Sequence, residues 1–190
     1  MRVERLEREF DIDVEWWPFE LHPEIPAEGI ERGSPTPERA ARYQYLRELA
    51  EEAGLAFQSS TRASNSHLAL EAAEFAREQS VFAPYHRALF EAYWSRGEDI
   101  GDAEVLCELG AACGLDPAAL REALASRRYA SVVDERTEEA RRWGVTGTPT
   151  FIFENGDRRL PIVGAQEYAL FESVAQRMGA ARRMGLAERT

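Results

Sequence analysis

GVTGTPTF, residues 144–151, marks the point where the character of the chain changes. Upstream lies a long charged run from about Tyr129 to Trp143 that predicts a helix, which Gly144 closes. Downstream, Thr150–Glu154 is a β-branched and aromatic run, Asn155-Gly156 is the strongest short hairpin signal in the chain, and Leu160–Val163 supplies the return strand. Gln166–Met178 follows as an amphipathic helix. The order helix, loop, hairpin, helix is the first constraint on the fold.

Working back from that loop, residues 37–143 read as helical with short connections and no strand signal. Thr36-Pro37 supplies an N-cap and a first-turn proline for a helix across Glu38–Ala53, and Gly54 closes it. Leu68–Gln79 carries Leu68, Ala72, Phe75 and Ala76 on one side, and Phe82–Trp94 repeats the pattern with Tyr85, Leu89, Phe90 and Tyr93. Asp102 caps a short helix ending at Gly114, and Asp116-Pro117 caps the next, with Leu120 and Leu124 facing the core. No period of 20 to 50 residues repeats among these helices, which excludes a solenoid.

At the other end, Val3, Leu6 and Phe10 stand at helical spacing among Arg and Glu. Asp11 and Asp13 bracket a turn, and Val14–Leu21 (VEWWPFEL) reads as an aromatic-rich strand containing Pro18. A Pro- and Gly-rich surface loop covers residues 22–36. This opening has the form of the second half of a βαβ unit, with its first strand missing from the chain.

The composition excludes several classes of function. A net charge of −11 argues against nucleic acid or an anionic membrane as partner. The N-terminus, MRVERLEREFDIDV, has no apolar run long enough for a signal peptide or membrane span, so the chain reads as cytoplasmic. All 23 basic residues are arginine, and with abundant Ala and Glu this suggests a GC-rich coding sequence. Two cysteines are too few for a disulfide framework.

Three motifs carry a resemblance that covers nearly the whole chain. GVTGTPTF, between a long helix and a strand, resembles the cis-proline loop of thioredoxin-fold proteins. VEWWPFELHP (Val14–Pro23) resembles the second strand and its exit in FrnE-like and 2-hydroxychromene-2-carboxylate isomerase-like proteins. NSHLALEAAEFA and YHRALFEAYW, within Asn65–Trp94, resemble the inserted helices of that branch. The chain is thus similar to the DsbA-like family, and the implied fold is α/β, thioredoxin-like, with a large all-helical insertion. The implied parts are residues 1–36 and 144–190 for the thioredoxin-like domain and 37–143 for the insertion. The resemblance also implies a cis bond at Thr148–Pro149 and a partner-positioning role for Gly147, Thr148 and Pro149.

Redox members of such a family carry a Cys-x-x-Cys at the start of the first helix, where the helix N-terminus lowers the leading thiol's pKa. This chain has none, since its cysteines are Cys107 and Cys113. Six residues apart on one helix, they would stand roughly 9 Å apart along its axis, too far for a disulfide. The missing strand and the missing pair suggest a true start upstream of Met1, or a strand supplied by another chain, which leaves a homodimer open.

The resemblance then implies a thiol–disulfide oxidoreductase-like protein, redox-inactive as given, acting on a protein or a small thiol or disulfide. A glutathione-dependent isomerase or transferase of the kappa type, or a non-catalytic binding module, are the alternatives. His22, His67 and His86 show no metal-ligand spacing and no carboxylate partner pattern, so neither metal nor cofactor is expected.

Overall fold

The computed structural model describes residues 2–52, 54–58 and 61–183. The chain divides into two compact units, one built from the stretches up to Trp17 and from Ala140 onward, the other from Pro18–Glu139.

The second unit is almost entirely helical. It contains α2 (Pro37–Glu52), α3 (His67–Glu78), α4 (Phe82–Glu91), a π-helical turn (Ala92–Arg96), α5 (Ala103–Ala112), α6 (Pro117–Ala125) and most of α7 (Ala130–Arg142). Local chemistry sets these boundaries. The Asp102 and Asp116 side chains accept the N–H groups of Glu104 and Ala118 at 2.8 and 2.9 Å, satisfying donors that a helix start leaves orphaned. Pro117 fills the first position of α6, where its missing N–H costs nothing.

The apolar faces of α3, α4, α5 and α6 close over one core, in which Tyr85, Leu106 and Leu120 are fully buried. Tyr85 brings a hydroxyl into that core and satisfies it by donating to the Leu106 carbonyl at 3.1 Å. Gly110 lets α6 approach α5 closely, because a Cβ there would lie 2.8 Å from a Leu120 methyl carbon.

Two readings of the sequence need correcting in this unit. Ile30–Glu31 (β1) and Arg62–Ala63 (β2) form a short antiparallel pair, Ile30 opposite Ala63, in stretches read as a surface loop and as a short polar connection between helices. Gly29, at φ 72°, permits the approach, since a Cβ on it would stand 2.8 Å from the Ala63 carbonyl oxygen. The strand expected at Val14–Leu21 does not form, because no ladder partner lies beside it among the described residues and Pro18 has no N–H to give. The Glu20 N–H donates instead to the Thr137 hydroxyl at 3.0 Å.

The first unit holds α1 (Arg2–Glu9), the hairpin β3 (Thr150–Asn155) and β4 (Arg158–Val163), and α8 (Tyr168–Arg177). The hairpin runs in register from Thr150 opposite Val163 to Asn155 opposite Arg158, as its Asn-Gly turn predicts. Leu6 and Phe10 of the α1 segment pack with Ile162 and Phe171. The Phe151 and Phe171 rings meet edge-on at 4.8 Å. The C-terminal return is tied to α1's exit by Asp11 N–H to Ala181 O and Arg183 N–H to Glu9 O, each 2.8 Å.

Candidate functional site

The Gly144–Phe151 loop is anchored at both ends and open in the middle. At its start, the Gly144 and Val145 N–H groups donate to Arg141 O and Ala140 O at 2.9 and 3.0 Å, closing α7. Gly144 takes a left-handed φ of 83°, which ends the helix without strain. At its end, the Gly164 N–H donates to the Pro149 carbonyl at 2.8 Å, and the Thr150 hydroxyl donates to Gly147 O at 2.7 Å. Between these anchors, Thr148 and Pro149 are solvent-exposed, Gly147 is half-buried, and the Thr148–Pro149 peptide is cis. Trp143, next to the loop, is held between the Trp17 ring at 4.8 Å and the Arg159 guanidinium at 3.8 Å from its centroid.

Cys107 and Cys113 are not bonded to one another. Cys107 is buried on α5 and Cys113 is its C-cap, half-buried, and both are free thiols. Burial pushes each thiol's pKa up from its ordinary value; at Cys107 Arg121 opposes the rise and Glu104 adds to it, and at Cys113 Glu91 adds to it. A thiol held protonated is a poor nucleophile.

A second constellation, within the helical unit, corrects the reading that the histidines lack carboxylate partners. His67 opens α3 with its N–H donated to the Asn65 side chain at 2.9 Å. Its Nδ1 lies 3.1 Å from Glu20 Oε2, and its Nε2 lies 3.5 Å from Glu71 Oε1, one helical turn along. Glu71 is a fully buried carboxylate that accepts from Arg127 Nε at 2.7 Å, while its Oε2 has no hydrogen-bond partner. Arg127 itself adopts φ 54°, a conformation uncommon for a side chain of its kind. Donor atoms of Glu20, His67 and Asp134 lie within 4.8 Å of one another. A cavity of about 260 Å³ opens beside them, with Glu20, His67, Asn65, Gly101 and Arg127 among its walls. The sequence did carry one signal for this cluster, the His67/Glu71 spacing of four on a helix.

The other two histidines play simpler parts. The His22 ring meets the exposed Glu24 carboxylate at 2.9 Å. His86 packs between the Phe82 and Phe90 rings at 5.1 and 4.8 Å.

Comparison with known proteins places this geometry. The model of the DSBA-like thioredoxin domain matches residues 1–176. The uncharacterized protein YwbO of Bacillus subtilis (strain 168) is 31% identical over 168 residues, spanning 85% of this chain and 80% of its own. Among solved structures, a probable DsbA oxidoreductase from Streptomyces coelicolor superimposes with a TM-score of 0.75 at 23% identity, over 90% of this chain and 74% of that one. A putative protein disulfide isomerase from Nitrosomonas europaea gives a TM-score of 0.59 at 16% identity, over 78% and 80% of the two chains. At these identities the two structures testify to the fold.

Proposed function

Because the chain belongs to the DSBA-like thioredoxin domain family, we propose that its 190 residues supply a partner-positioning loop of that family without a working thiol pair. The family is thiol–disulfide oxidoreductase-like, and the fold is the α/β thioredoxin-like one with a large helical insertion. Disulfide exchange needs a thiolate that attacks a disulfide sulfur, and a second thiol that resolves the mixed disulfide. In this reading Gly147, Thr148 and Pro149 present an exposed stretch of backbone to an extended protein segment or a small thiol or disulfide, while the attacking sulfur is not among these residues.

The observation that carries the reading is the state of the thiols. Cys107 lies on α5 and Cys113 caps its end, and burial raises the pKa of both. An insulin-reduction assay on the 190-residue chain tests it. The expected rate matches the uncatalysed reaction of the thiol reductant alone. A clear acceleration that disappears in the Cys107→Ser, Cys113→Ser double variant would overturn the proposal and make those two the redox centre.

A further inference from the structure

The polar cluster at the start of α3 serves no step of disulfide exchange, yet its groups are arranged at considerable cost. Glu71 places a carboxylate in the interior with no exposed surface and one oxygen unpartnered. A buried charge needs compensation, and a buried polar atom without a partner costs on the order of 1–3 kcal/mol. Arg127 compensates one Glu71 oxygen only. His67 Nε2 is a second buried polar atom without a hydrogen bond, at 3.5 Å from Glu71 Oε1. On the other side of the same imidazole stand two more carboxylates, Glu20 and Asp134.

We infer that Glu20, His67 and Asp134 form a site for a zinc-like divalent cation, with Glu71 as the carboxylate that orients the histidine. Glu20, Asp134 and Glu71 thus gather three carboxylates around one imidazole, a donor arrangement that a divalent ion suits. Donors about 2.1 Å from a tetrahedral zinc ion stand about 3.4 Å apart. His67 Nδ1 and Glu20 Oε2 are 3.1 Å apart, and the Asp134 carboxylate is within the same 4.8 Å neighbourhood. With Nδ1 on the metal, Nε2 carries the proton and faces Glu71, whose nearer oxygen Oε1 lies 3.5 Å away. A carboxylate on the far nitrogen of a metal-bound histidine is the usual way that ring is fixed, and Arg127 in turn fixes Glu71.

The donor set selects among cations. One imidazole with two carboxylates suits zinc and its transition-metal neighbours, whereas magnesium prefers oxygen donors and its own waters. Glu20 and His67 also line the cavity of about 260 Å³, which leaves room for water or a small ligand at a fourth position. The three donors come from separate segments: Glu20 precedes every helix of its unit, His67 opens α3, and Asp134 lies on α7. A bound ion therefore fastens three distant stretches of that unit together.

Titration calorimetry of the full chain with Zn²⁺, after chelator treatment, tests the inference. The expected result is one ion per chain, with a rise in the thermal midpoint that scales with zinc concentration. Asp134→Ala and His67→Gln should abolish that binding, while Glu71→Gln should keep one-to-one stoichiometry and weaken it about 10- to 100-fold. Binding should survive in Cys107→Ser, Cys113→Ser and in His22→Gln, which remove other groups able to hold zinc. Absence of saturable binding overturns the inference. So does binding undiminished by Asp134→Ala, binding lost with the cysteines, or Mg²⁺ bound as tightly as Zn²⁺. Asp134 is exposed on α7, so its truncation leaves a folded protein to measure even if His67→Gln does not.

Discussion

Two ring residues of the helical unit titrate in opposite senses, and each gives stability a pH dependence of its own. Burial lowers the pKa of His86 from its ordinary 6.5, with Arg77 adding to the effect. The unfolded chain then binds a proton that the folded one resists, so stability is lost as pH falls below about 6.5. The thermal midpoint should drop between about pH 7 and pH 5.5, and His86→Gln should flatten that part of the curve. No change in the curve would show that other groups dominate acid sensitivity. Tyr129 behaves the other way. Burial first, and then its donated hydrogen bond to Glu78 Oε2 at 2.5 Å, push the phenol up to about 12. The folded state retains that proton, so its contribution is intact below pH 10 and fades as pH climbs toward 12. An absorbance titration should lose a late-ionising phenol in Tyr129→Phe. Among single residues, the sequence made the cis Thr148–Pro149 bond and the burial of Cys107 legible, since a loop's place and a helix spacing are local properties. It could not show Glu20 and Asp134 beside His67, because only packing brings positions so far apart in the chain to one point.

Helices were legible for the reason that their stabilising patterns repeat every three or four residues. Asp102, Asp116-Pro117 and the Leu120/Leu124 spacing fix α5 and α6 without reference to the rest of the molecule. The hairpin was legible too, since Asn155-Gly156 joins its strands directly. Val14–Leu21 was not, because a strand is defined by its neighbour, and aromatic residues alone do not supply one. The close fit of α5 on α6 was equally hidden, although it depends on one residue. Gly110→Ala improves helix propensity by up to about 1 kcal/mol. The new methyl would lie 2.8 Å from a methyl carbon of Leu120, which is fully buried. Overpacking of this kind costs about 1–3 kcal/mol, so a net loss of stability is expected in urea unfolding. A variant as stable as the parent would show that Leu120 can shift freely.

At the scale of the whole chain, belonging to the DSBA-like thioredoxin domain family accounts for the order of elements, and the two compact units give that order a physical division. The resemblance was readable from motifs spread along the sequence because the order of helices and strands survives when individual residues drift. The division was less readable, since no linker composition separates the units. One bond described above says what kind of division it is. The hydrogen bond from Glu20 N–H to the Thr137 hydroxyl spans 117 positions and ties the entry of the helical unit to its exit. A segment closed on itself in this way is expected to fold as a cassette. A polypeptide of residues 18–139 alone should unfold in one cooperative step when followed by circular dichroism in urea. A broad, non-cooperative loss of helix would show that it depends on its host. If it stands alone, the cassette can be transplanted as a whole, and its interior can diverge in evolution at a pace separate from that of the chain on either side.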